Sequence, residues 1–176
     1  MRLVLKVTST IVCESHYRKL FARAVASLRR DAHSVIVIYG EDWETGEDAL
    51  RDRTAEGTWP LAENQPEAFQ LKAHLLSHSL SQAGVPGICM IGSDADIYRV
   101  RKKRCCATTV NEPSTIDLRW LEALCSQGAV PVLSNLMVDE QYGCVRVDSN
   151  QLGALCAVTW EAAALIYLSD IDGVRD

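Results

Sequence analysis

The unbroken run Ser34-Val35-Ile36-Val37-Ile38-Tyr39 leaves this chain few ways to fold. Alternating apolar and polar residues would mark a strand with one wet face, and this run has none. It predicts a parallel strand covered on both sides, which requires helices on each face of a sheet. The preceding stretch supplies one such helix. From Glu14 to Arg30, Tyr17, Leu20, Phe21, Ala24, Val25 and Leu28 fall on a single stripe at helical spacing, with Arg18, Lys19, Arg23, Arg29 and Arg30 elsewhere. Before it, Leu3 to Val7 reads as a first buried strand ending in the polar turn Thr8-Ser9-Thr10. These three pieces make a βαβ unit.

The pattern continues along the chain. Gly40 to Glu63 is acidic, polar and weakly periodic, and reads as a long loop. Pro66 sits where a first helical turn tolerates proline, and Ala68, Leu71, Ala73, Leu75, Leu76 and Leu80 carry a helix over 66–83 that Gly84 stops. Val85 to Ile91 is a further strand, and Gly92 to Asp96 a turn leading into the basic stretch Arg99 to Arg104 on a surface hairpin. Ser114 with Asp117 resembles a capping box for a helix through Leu118, Leu121, Leu124 and Cys125, ended by Gly128. Ala129 to Leu133 gives another strand, Val145 and Val147 a short one, Asn150 to Trp160 a helix, and Ala164 to Leu168 the last strand. The order predicts a three-layer α/β/α sandwich around a mostly parallel central sheet.

Composition narrows the function classes. With 176 residues, 48% hydrophobic and 23% charged, the chain has the make-up of one globular domain. A net charge of −5 offers no general attraction to nucleic acid or anionic membrane. No apolar run approaches the ~20 residues that span a bilayer, and the early lysine of Met1-Arg2-Leu3-Val4-Leu5-Lys6 does not suit a signal peptide, so the expected compartment is the cytoplasm. Seven cysteines without a C-x-x-C read as mostly reduced, buried small hydrophobes. His74 and His78, at i, i+4 spacing on the 66–83 helix, read as a helix face, and no protein-bound metal is expected.

The C-terminal third carries motifs in order: Gly128-Ala129-Val130-Pro131-Val132-Leu133, then Val138-Asp139-Glu140, then Val147-Asp148-Ser149-Asn150 opening an alanine-rich helix, and finally Leu165-Ile166-Tyr167-Leu168-Ser169-Asp170-Ile171-Asp172-Gly173-Val174. This series resembles the amino-acid kinase family, and within it the acetylglutamate kinase type. Earlier, Leu3-Val4-Leu5-Lys6 resembles that family's first strand with its lysine, and Val35 to Gly40 its strand leading into a glycine cluster.

The resemblance implies a chemistry and a set of positions. The family moves a γ-phosphoryl group from ATP with Mg to the side-chain carboxylate of an amino-acid derivative, here N-acetylglutamate in arginine biosynthesis. Bringing two anions together makes charge neutralisation and alignment the main tasks. Lys6 matches the lysine that stabilises the transferring phosphoryl; the alternative for it is a strand-end lysine reaching out to water. Thr8 and Ser9 occupy positions where the family has phosphate-loop glycines. Gly40 matches the substrate cradle, followed by Glu41 and Asp42 where further glycines are expected, and carboxylates there would repel an anionic substrate. Arg146 falls at a substrate-contacting asparagine, and Asn150 at the aspartate that organises the catalytic lysines. In a second register, similar to glutamate 5-kinase, Asp148 matches an aspartate of the turn; in either register Asp148 or Ser149 also suits a helix N-cap. Asp170, Asp172 and Gly173 match nucleotide contacts, Arg51 and Arg53 are candidates for a substrate arginine, and the 66–83 helix matches a homodimer contact.

Those departures imply impaired or absent activity. By the resemblance, residues 1–176 are expected to match the family's N-terminal, amino-acid-binding half, with the nucleotide-binding half essentially absent from them. The rival reading is a non-catalytic oligomerising or regulatory relative, and a third is a fragment related to glutamate 5-kinase.

Overall fold

A computed structural model describes residues 1–40, 66–105, 108–139 and 143–169. Within them a five-stranded parallel sheet is built from β1 (Arg2–Val7), β2 (Ser34–Tyr39), β3 (Gly87–Met90), β6 (Val130–Ser134) and β9 (Ala164–Leu168), in the order β3-β6-β2-β1-β9. β2 sits at the centre, and Val35 to Tyr39 are all fully buried, as a run without a polar face requires.

Two apolar layers flank the sheet. On one face, Leu3, Leu5 and Val7 of β1 pack with Phe21 and Val25 of α2 (Ser15–Arg30) and with Phe69, Ala73, Leu76 and Leu80 of α3 (Pro66–Gln82). On the other, Val4, Ile36 and Ile38 pack with Leu121 and Cys125 of α4 (Arg119–Ser126), Leu152 and Cys156 of α5 (Ser149–Thr159), and Trp160. The sandwich is thus three-layered. Each buried Val, Leu, Ile or Phe contributes about 1.5–3 kcal/mol, so this double cover is the main source of stability.

Two antiparallel hairpins lie outside the sheet: β4 (Tyr98–Cys105) with β5 (Thr108–Ile116), and β7 (Leu136–Asp139) with β8 (Gly143–Arg146). Tyr98 anchors the first against the core, its hydroxyl donating to the carbonyls of Ser134 and Leu136 at 3.3 and 2.8 Å. Gly92 permits this contact, because a Cβ there would lie 2.3 Å from the Tyr98 ring.

Several local expectations need correction. Residues Ser9–Cys13 form a short helix, α1, where a polar turn was predicted, and α2 follows after Glu14. The capping box at Ser114 is absent: β5 runs on to Ile116, the Ser114 hydroxyl donates to the Arg99 carbonyl, and α4 begins only after Leu118. Cross-strand pairing outweighs a local cap there. Val138 and Asp139 belong to β7, and Val147, expected in the short strand with Val145, lies just past β8. Cys125 and Cys156 are buried as expected, whereas Cys13 and Cys144 are exposed. Trp160 packs in the core, while Trp59 and the 40–63 loop beyond Gly40 fall outside the described residues.

Candidate functional site

The strands of the sheet all end at one edge, and the polar residues follow. Val7 pairs with Tyr39 and Leu168, and Tyr39 with Ser134. The next row across the sheet is therefore Asn135, Gly40, Thr8 and Ser169. Backbone bonds carry the ladder into it: Gly40 N–H donates to the Val7 carbonyl at 3.4 Å, and Asn135 N–H to the Tyr39 carbonyl at 3.1 Å. The chain leaving β1 enters helices on one face, and the chain leaving β6 passes through the β7–β8 hairpin into α5 on the other. Such a divergence at the carboxyl edge of a parallel sheet opens a crevice suited to ligands.

α5 starts directly over this row. Asp148 caps it, its Oδ1 accepting from the N–H groups of Asn150 and Gln151 at 2.8 and 3.1 Å. Ser149 lies against the α-carbon of Gly40, where a Cβ would sit 2.2 Å from the Ser149 Cβ and 2.9 Å from Asn135 Cγ. Only glycine allows so close an approach. Asn135 ties the entry to α5 down, donating from Nδ2 to the Val147 carbonyl at 2.6 Å and accepting from Val147 N–H at 3.0 Å. Its Oδ1 is buried and without a partner among the described residues.

Lys6 is on the face of β1 that α5 covers. It is 2% exposed, so it does not reach out to water, and its Cβ lies 3.8 Å from where Gly153 of α5 would carry one. Next in the chain after Val7, Thr8 is buried, and its hydroxyl has no partner among the described residues. Ser9 opens α1 and accepts a bond from Lys72 of α3 at 3.2 Å.

Arg146 reaches the same edge from β8. Its guanidinium lies 4.8 Å over the Phe69 ring, which itself stacks on Tyr39 at 4.6 Å. Arginine over an aromatic face keeps its charge while its position is narrowed. Asn150 is exposed, and its carbonyl accepts from the Tyr167 hydroxyl at 3.2 Å. Burial, and secondarily the Asp148 carboxylate, push the Tyr167 hydroxyl above its usual range and keep it a donor.

Of the residues singled out in the sequence, the structure brings Lys6, Thr8, Ser9, Gly40, Arg146 and Asn150 to one end of the sheet. Glu41, Asp42, Arg51, Arg53, Asp170, Asp172 and Gly173 lie outside the described residues. Asn135 and Lys72 were not singled out. Asn135 follows a strand as many loop residues do, and Lys72 resembles any helix-surface lysine. Among the described residues no group of three or more His, Cys, Asp or Glu side chains stands together to hold a metal ion, and no helix is long and apolar enough to cross a membrane.

Comparison with known proteins agrees with this geometry. The sequence model of the amino acid kinase family matches residues 1–176. The acetylglutamate kinase of Acidobacterium capsulatum is 32% identical over 165 residues, covering 88% of this chain and 64% of that protein. The acetylglutamate kinase of Koribacter versatilis is 27% identical, covering 100% of this chain and 72% of that protein. The chain thus spans roughly two thirds of their length. In fold it is similar to N-acetylglutamate synthase from Neisseria gonorrhoeae in complex with coenzyme A and L-arginine, with a TM-score of 0.70 at 17% identity, covering 99% of this chain and 44% of that one. The α/β sandwich, the motif series and the full-length family match agree: the chain belongs to the amino acid kinase family and is acetylglutamate kinase-like.

Proposed function

We propose that residues 1–176 form one amino-acid-kinase-like unit, the amino-acid-binding part of a phosphotransferase acting on the side-chain carboxylate of N-acetylglutamate, in the cytoplasm. The observation that carries this reading is the meeting of Lys6, Thr8, Ser9, Gly40, Arg146 and the capped start of α5 at the carboxyl edge of the sheet.

The donors at this edge suit an anionic ligand. The Lys6 ammonium is taken out of water under α5, where its charge acts at higher strength than on the surface. The unpartnered Thr8 hydroxyl has a proton to give. ATP, bound with magnesium on its phosphates, supplies the phosphoryl group. Lys6 offsets the charge that builds as two anions approach, and Arg146 orients the substrate carboxylate from its seat on Phe69.

Thr8, Ser9 and the neutral Asn150 weaken this machinery, since side chains hinder close backbone approach and an amide cannot supply a carboxylate's charge. They favour a second reading, a non-catalytic oligomerising or regulatory relative. Its contact would be a homodimer through the 66–83 helix, where Leu71 and Leu75 are exposed. Calorimetry with N-acetylglutamate and with MgATP, followed by an ADP-release assay, separates the readings. Heat with both and ADP release support the kinase. Heat with neither removes it, and light scattering then tests the dimer.

A further inference from the structure

Lys6 is in register with Ile38 of β2 on one side and with Tyr167 of β9 on the other. Partners in a parallel ladder send their side chains to the same face from strands ~4.8 Å apart, so these three stand in a row under α5. Gly153 of α5 roofs the row, since a Cβ there would lie 3.8 Å from Lys6 Cβ and 3.7 Å from Leu165 Cδ1. Asn150, three residues earlier, is on the same side of the helix, and its carbonyl accepts from the Tyr167 hydroxyl at 3.2 Å. The two walls of the slot differ. Ile38 is fully buried and Lys6 is 2% exposed, whereas Tyr167 is 47% exposed, on a strand that lies at the rim of the sheet among the described residues. Tyr167 thus stands between Lys6 and solvent, and it carries the one polar side chain of β9.

We propose that Tyr167 is a positioning residue for Lys6: its ring is the outer wall of the lysine's slot, and its hydroxyl holds the first turn of α5 down as the roof. A charge kept from water acts more strongly on the oxygens of a phosphoryl group. Tyr167 therefore governs how much of its charge Lys6 brings to the reaction, without itself touching the reacting atoms. The proposal rests on the phosphotransferase reading above and names a residue to which that reading gave no part.

Acetic anhydride labelling of the whole chain, read by peptide mass spectrometry, measures how well Lys6 is enclosed. Tyr167→Ala should speed Lys6 acetylation by about tenfold or more, because the wall and the clamp on α5 are both gone. Tyr167→Phe keeps the ring and loses only the hydroxyl bond, and should speed it by about two- to fivefold. Exposed Lys19 should react at one rate in all three chains, and buried Cys156 should stay closed to iodoacetamide. An unchanged Lys6 rate in Tyr167→Ala overturns the proposal. So does a rise at Lys6 accompanied by Cys156 alkylation, since the chain then opens as a whole and Tyr167 is a folding residue. Calorimetry with the magnesium complex of AMP-PNP, a non-hydrolysable ATP analogue, connects the enclosure to the reaction. Affinity should fall by about two- to fivefold in Tyr167→Phe and further in Tyr167→Ala. Full affinity in Tyr167→Ala overturns the role in the reaction while leaving the phosphotransferase reading intact. A wild-type chain that does not bind the analogue removes that reading, and the role of Tyr167 in it.

Discussion

Gly40 and Ser149 stand so close that a Cβ on Gly40 would fall 2.2 Å from the Ser149 Cβ. The end of the central strand and the start of α5 are thereby held together at the edge where the candidate ligand groups gather. Gly40→Ala should destabilise the chain by about 1–3 kcal/mol through overpacking. Urea unfolding checks this, and Ser149→Gly in the same chain should restore much of the loss. Ser149→Ala should not, because it keeps the Cβ that collides. A Gly40→Ala chain as stable as wild type would mean that α5 is free to shift.

Asp148 accepts two N–H bonds at the start of α5. Its replacement by alanine removes the cap and should cost about 1 kcal/mol, with serine restoring most of it. Hydrogen exchange at Asn150 and Gln151 gives a local readout. Faster exchange confined to that turn is the expected pattern, and unchanged exchange would show the cap to be redundant.

Tyr98 carries a hydroxyl bonded to two carbonyls in the core. Burial pushes that hydroxyl well above its ordinary range, so it remains a donor at any physiological pH. Tyr98→Phe leaves the Ser134 and Leu136 carbonyls short of a donor and should cost about 1–3 kcal/mol. Thermal unfolding of the variant checks the size. A change near zero would mean that the Gly92 N–H, which already donates to the Leu136 carbonyl at 2.7 Å, and water at the Ser134 carbonyl are enough.

Burial raises the Cys156 thiol from 9.0 to about 12 and the Cys125 thiol to about 11. Between those values the native chain keeps protons that the unfolded chain releases, so stability falls as pH rises from about 9. Below pH 9 both states hold the proton, and the contribution is complete. The advantage of wild type over Cys156→Ala in urea should therefore shrink between pH 9 and 11. In the same buffers, iodoacetamide should label exposed Cys13 and Cys144 well before Cys125 and Cys156.

Much of the fold is legible in local sequence. The Ser34–Tyr39 run requires cover on both faces, the Glu14–Arg30 stripe supplies part of it, and Gly84 and Gly128 end helices with φ near +87° and +85°. These signals depend on residues near one another in the chain, but the stripe reads correctly only in part: Phe21 and Val25 are buried together with Ala22 and Ala26, whereas Tyr17, Leu20 and Ala24 are exposed. β5 shows the limit, since Ser114 and Asp117 look like a cap until pairing with β4 extends the strand to Ile116. Partly legible too is the candidate site. Lys6, Thr8, Ser9, Gly40, Arg146 and Asn150 were found through motifs, each a local pattern.

By itself, then, the sequence determined the alternation of buried strands with amphipathic helices and the family to which its motifs belong. Tertiary structure alone decided that Lys6 is enclosed under α5, that Arg146 settles on Phe69, that Asn135 clasps Val147 and that Lys72 meets Ser9. Each of those contacts joins residues from different elements. Their geometry follows from strand order and helix placement, because only the assembled sheet brings the ends of β1, β2 and β6 into one row.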